Sequence, residues 1–202
     1  ILGQDFWMIP GYVAGVLATY ERAEILSAMR SCWPDVQDTS RLQRDNTCEN
    51  PTLDGLLYVD RASKRPGWHI YKTYAEMQGI RISSVTGSSR THALASVDAS
   101  QGSVHLLVGK YEESGLDETH VLVKNVSRAS FLGERVGRVQ VRAERIPDVG
   151  SAPLESLPVT VDACVPVEGD QADFVLPLFA RMDAYRVLLS PCRPDRPHVE
   201  LP

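Results

Sequence analysis

The sequence is short of the features that mark most specialised chemistries. Its four cysteines, Cys32, Cys48, Cys164 and Cys192, show no Cys-x-x-Cys spacing and no histidine at a zinc-ligand interval, so no metal site is expected. Lysines and arginines stand singly in a chain of net charge −5. Without a basic stripe to neutralise phosphates, nucleic acid is not an expected partner. No apolar run approaches the ~20 residues that cross a bilayer, and none has the order of a signal peptide. The expectation is a soluble chain, free of the membrane, from which any targeting segment has been removed. A glycine-rich phosphate loop, a serine elbow and a Cys/His nucleophile pattern are all missing, and no cofactor is implied. The five histidines share no spacing and read as surface or strand residues.

What is there is enough for an ordinary core, since 43% of the 202 residues are apolar. Two disulfides are the preferred reading of the cysteines. Cys32–Cys48 would close a polar loop and Cys164–Cys192 would tie a late strand to the tail, each contributing roughly 2–4 kcal/mol. Four buried thiols are the alternative. Asn125-Val126-Ser127 is a glycosylation sequon at a strand end, which agrees with secretion.

The pattern changes near Gly79. Before it, Tyr12, Val13, Val16, Leu17 and Tyr20 recur at helical spacing after Pro10, predicting a helix to about Ala23 with those residues buried. Pro66 opens a second predicted helix that Gly79 caps. Between them, residues 25–33 read as helix or as a buried strand, and a polar loop follows over 36–53. After Gly79 come eight strand signals: Ile80–Val85, His92–Val97, Ser103–Tyr111, Thr119–Val126, Arg135–Arg145, Pro158–Val165, Ala172–Leu178 and Asp183–Ser190. Short strands in that number predict a two-sheet sandwich.

Three stretches, ILSAMRSCWPD, DGLLYVDRASKRPGWHIYKTYAEMQG and FVLPLFARMDAYRVLLS, carry a resemblance that covers about Tyr12 to Ser190. The chain resembles the C-terminal part of a retaining glycoside hydrolase of the (β/α)8-barrel clan, nearest to family 39-like enzymes. The resemblance implies an α/β plus all-β fold: residues 1–79 as the last βα units of a TIM barrel and 80–202 as an antiparallel β-sandwich. It also implies a secreted enzyme whose two catalytic carboxylates precede Ile1, so no catalytic residue is expected in this chain. The missing barrel portion would be supplied by a separate chain or fragment.

For substrate binding, the resemblance places Trp33 at the end of the eighth barrel strand as a platform beneath the sugar. An indole face stacks on the C–H face of a pyranose, and its N–H can donate to a hydroxyl. The bland alternative for Trp33 is core packing. Asp35 is the best sugar-contact candidate among the loop carboxylates, whose ordinary role is solvation or turn bonding. Glu21 and Glu24 share a helix face and read as solvated surface. The competing reading of the whole chain is a non-catalytic sandwich that binds carbohydrate or protein. Only Tyr111, Phe131, Phe174, Phe179 and Tyr185 are aromatic after Gly79, poor material for a stacking platform on the strands.

Overall fold

The computed structural model describes residues 9–25, 56–57, 62–111, 117–133, 137–150 and 152–192. Helices α1 (Pro10–Arg22) and α2 (Pro66–Glu76) precede strands β1 (Ile80–Ile82), β2 (Thr91–Asp98), β3 (Ser103–Lys110) and β4 (Asp117–Lys124). A short helix α3 (Ser130–Gly133) leads to β5 (Arg138–Ile146), β6 (Val159–Glu168), β7 (Gln171–Phe179) and β8 (Ala184–Pro191). All eight expected strands are present, most of them rich in β-branched, aromatic and other apolar residues between turn formers.

Their assembly corrects the expected fold class. The strands form one eight-stranded sheet in the order β1-β2-β3-β8-β5-β6-β7-β4, and every strand pairing is antiparallel. Among the described residues there is no parallel pair and no strand–helix unit of a TIM barrel. Of the stretch over 25–35, read as the eighth barrel strand, all but Ile25 lies outside them. Nor do the described strands form two separate sheets.

The sheet stays continuous because β6 pairs with β5 from Val159 to Pro166 and then with β7 through Val167 and Glu168. The connection is a two-residue turn, Gly169-Asp170, with φ of 55° and 65°. Positive φ at both central positions is the hairpin geometry whose twist matches the flanking strands. Hydrogen bonding therefore carries round the bend, and the sheet curls on itself.

The main core fills the inside of that curl. Val104, Leu106 and Val108 of β3, Val139, Val141 and Ala143 of β5, and Tyr185, Val187 and Leu189 of β8 pack with Ala172, Phe174, Leu176 and Phe179 of β7. Phe179 meets Tyr185 edge to face at 5.1 Å between centroids, and each such side chain contributes about 1.5–3 kcal/mol by leaving water. Cys164 and Cys192 form a disulfide, with a Cα separation of 5.7 Å, that pins the end of β8 to its neighbour but one.

A second core lies on the outer face, where Val13, Ala14, Leu17 and Ala18 of α1 and Ile70 of α2 cover Leu94, Leu107, Ile146 and Ala184. Strand β3 is thus buried along its whole length. Small residues set how α1 lies. A Cβ on Gly109 would stand 2.5 Å from the Ala14 methyl, and one on Gly15 would stand 2.6 Å from His92 Cδ2. Only with small residues at this contact can the helix come so close to the sheet.

Closeness on that side turns the bulky residues outward. Val13 and Leu17 are buried as expected, but Tyr12, Val16 and Tyr20 are only half-buried. Reading the largest apolar side chains as the buried face misplaced these three, since the face against the sheet combines Val13 and Leu17 with Gly11, Ala14, Gly15 and Ala18.

Candidate functional site

Of the residues the sequence nominates, Trp33, Asp35, Cys32 and Cys48 lie outside the described residues. Asn125 is exposed, with φ of 58°, at the turn after β4. Next to it the Ser127 hydroxyl donates to Asp170 Oδ2 at 3.0 Å, which fixes the sequon on the β6–β7 turn.

Five of the described carboxylates are tied to arginines, while the Asp148 carboxyl is pushed up by burial and by Asp183. Glu144 pairs with Arg142 at 2.9 Å and Arg186 at 3.7 Å, Asp162 with Arg142 at 3.3 Å, and Glu76 with Arg186 at 3.1 Å. Asp183, almost fully buried, accepts from Arg145 Nε at 2.6 Å. Glu21 is more than solvated helix surface: it accepts from the Tyr74 hydroxyl at 2.7 Å and from Arg81 Nε at 2.9 Å, joining α1, α2 and β1. Its carboxyl is held below the usual range chiefly by the Tyr74 hydrogen bond, with Arg81 adding to it. These groups hold elements together. An arginine beside a carboxylate favours its ionised form, the opposite of what a general acid needs. Among the described residues no group of three or more His, Cys, Asp or Glu is placed to hold a metal.

His92, His105 and His120 lie in strands as the sequence reading allows, and His69, buried on α2, corrects it. His69 and His105 are buried: His69 Nε2 lies 2.6 Å from the Leu154 carbonyl oxygen, and His105 Nε2 lies 2.9 Å from Ser103 Oγ. Burial holds both below the ordinary imidazole pKa, aided by Lys64 and Lys72 at His69 and by Arg186 at His105. His92 is lowered too, by burial and then Arg22. In each case the unfolded chain takes up the proton first, near the free value of about 6.5. Stability from these sites is therefore complete above that pH and lost as the pH falls below it. The urea midpoint should fall between pH 7.5 and pH 5.5; a midpoint that rises over this interval contradicts the assignment.

What the structure brings together is a groove beside α1, of about 450 Å³. Its helix wall is Tyr12, Gly15, Val16, Thr19 and Tyr20, and across from them stand His92 of β2 and Tyr111 just after β3. Tyr12 and Tyr111 tilt at 60° with centroids 5.2 Å apart. Gly15 leaves room for the His92 ring against the helix. Thr19 Oγ1 donates to the Gly15 carbonyl at 2.9 Å and accepts from Arg22 at 3.3 Å. Sequence reasoning missed this groove, because its two walls are separated by most of a hundred residues and Tyr12 and Tyr20 read as core.

No protein-family model matches the chain, and no curated protein matches it. Solved structures do. The structure of N2152 from Neocallimastix frontalis aligns with a TM-score of 0.72 and 23% identity over 93% of this chain and 42% of its own. A glucosidase from Croceicoccus marinus aligns at 0.60 with 9% identity, over 95% of this chain and 43% of its own. An alpha-L-arabinofuranosidase from Thermotoga maritima, in an arabinose complex, aligns at 0.54 with 12% identity over 92% and 39%. At these identities the likeness is one of fold. The chain spans about two fifths of the length of each of these structures.

Proposed function

We propose that this chain is the β-rich, non-catalytic portion of a secreted glycoside hydrolase, with the catalytic carboxylates in a part of the protein outside these 202 residues. The observation that carries this reading is the fold, which nearly the whole chain shares with less than half of a glucosidase and of an arabinofuranosidase. The family 39-like resemblance adds double displacement with retention. That reaction needs two carboxyl groups about 5–5.5 Å apart flanking the scissile bond, one of them protonated when it acts. The arginine-paired carboxylates of the sheet are unsuited to the protonated role.

In this scheme the covalent intermediate forms and breaks on the partner portion, which this sheet buttresses. Trp33 contributes a stacking platform and Asp35 a hydroxyl contact, and no cofactor takes part. The disulfide between Cys164 and Cys192 is consistent with an oxidising compartment. No helix among the described residues is long and apolar enough to cross a membrane. Asn125 is proposed as a glycan acceptor.

The test compares the 202-residue chain with the longer protein that carries it, on nitrophenyl glycosides of glucose, xylose and arabinose. The longer protein should hydrolyse at least one, with KM raised about tenfold by Trp33→Ala, the loss of about 1.4 kcal/mol of stacking. The isolated chain should hydrolyse none. Turnover by the isolated chain would place the carboxylates here and defeat the proposal. Inertness of the longer protein on every glycoside would defeat the hydrolase reading itself. In peptide maps of the secreted longer protein, an unmodified Asn125 would remove the glycan from the proposal.

A further inference from the structure

The groove beside α1 has a chemistry of its own. Its described lining residues include no carboxylate, lysine or arginine, and Arg22 stands beside it, bonded to Thr19 Oγ1 at 3.3 Å. At about 450 Å³ it falls within the 300–1,000 Å³ range of small-molecule sites. Aromatic surface comes from Tyr12, Tyr20 and Tyr111, with Val16 between the helix tyrosines.

Two polar groups in the lining have work to do. Among the described residues, neither the Tyr20 hydroxyl nor the His92 ring nitrogens make a hydrogen bond. A neutral imidazole offers one donor and one acceptor, and a phenol offers both in one atom. A ligand that engages both supplies donors and acceptors together and presents a flat apolar side to tyrosine.

We infer that this groove is an accessory binding site for one ring of a neutral oligosaccharide, with a pyranose or furanose C–H face on the tyrosines and its hydroxyls on Tyr20 and His92. The inference rests on the carbohydrate-active reading above and deepens it. The site holds substrate and takes no part in bond breaking. Its use is to keep a polymer near the enzyme, because a second, weak contact on one chain raises the effective concentration at the first.

The probes are cellopentaose, xylopentaose and arabinopentaose, titrated into the 202-residue chain and followed by NMR shifts of the tyrosine and His92 rings. One of the three should bind in the millimolar range or tighter. Tyr20→Ala and His92→Ala should each weaken it at least about tenfold, and Tyr20→Phe, which keeps the ring, by less. Unfolding curves of the variants separate lost binding from lost structure, and Tyr20→Phe keeps the test valid if an alanine variant does not fold. No binding of any probe at about 10 mM overturns the inference, as does binding that none of the variants changes. The two readings fail separately. A groove that binds nothing in a protein that hydrolyses glycosides removes this inference alone, and binding by the chain without hydrolysis by the longer protein removes the other.

Discussion

Replacing Gly11 by alanine should destabilise the protein by about 3 kcal/mol or more, although the same change in an exposed helix would stabilise it by about 1 kcal/mol. The two effects have opposite signs, and geometry decides between them. A Cβ at this position would stand 1.8 Å from the Lys110 carbonyl oxygen and 2.8 Å from that of Asp183. Both are backbone atoms held in the sheet and its adjoining turn, so neither can swing aside. Helix α1 would have to retreat, giving up the 2.9 Å bond from Gly11 N–H to the Met182 carbonyl and loosening the outer core. Gly87→Ala is the control, since nothing lies within 4 Å of a Cβ there. Chemical unfolding of both variants measures the difference. A Gly11→Ala protein as stable as the parent would mean that α1 does not sit this close to the sheet.

The second large effect is expected at Asp183. Its carboxylate, buried at the turn into β8, accepts from Arg145 Nε at 2.6 Å and from the backbone N–H groups of Asp148 at 2.9 Å and Ala180 at 3.3 Å. Asp183→Ala removes the acceptor of one guanidinium and two peptide donors at once. Breaking a buried pair from one side costs about 3–5 kcal/mol, mainly because the group left behind stays desolvated. Arg145 keeps some access to water, which places the expectation near the lower figure. Removing both partners should cost less than the sum of the single losses. Strictly additive costs in the double-mutant cycle would show that the pair is not coupled and that Asp183 acts through its backbone contacts alone.

The elements were legible in the sequence and their arrangement was not. Alternation of Val139, Val141 and Ala143 with Gln140, Arg142 and Glu144 marks β5, and the structure buries the first three and leaves the others half-exposed. Pro10 and Pro66 mark the two helix starts. Strand pairing is another matter. Periodicity tells which face of a strand is apolar, but carries no information about its neighbour, so β8 between β3 and β5 had to come from the structure. The Gly169-Asp170 turn reads equally well as a junction between two sheets or as a bend within one. Reliance on family likeness then supplied a barrel that the antiparallel pairing does not show.

The groove escaped for a different reason. Tyr12 and Tyr20 belong to the apolar pattern of α1, and nothing local distinguishes an apolar residue against the sheet from one beside it. The clue was present in Gly11, Ala14, Gly15 and Ala18, a row of small residues on the side of α1 that meets the sheet. Such a row marks the closest approach of a helix to its support, and larger neighbours then fall outside the contact.

The strand order also has a consequence for how the chain is made. In the order of synthesis, β1, β2 and β3 emerge first and can join as one ribbon, and β4 to β7 follow and can join as another. Among the described residues no hydrogen-bonded strand pairing links the two ribbons except through β8, which bonds to β3 on one side and β5 on the other. The last of these eight strands to be made is the one that turns two half-sheets into a single body, so the nascent sheet carries two open edges, at β3 and β5, until residues 184–191 have left the ribosome.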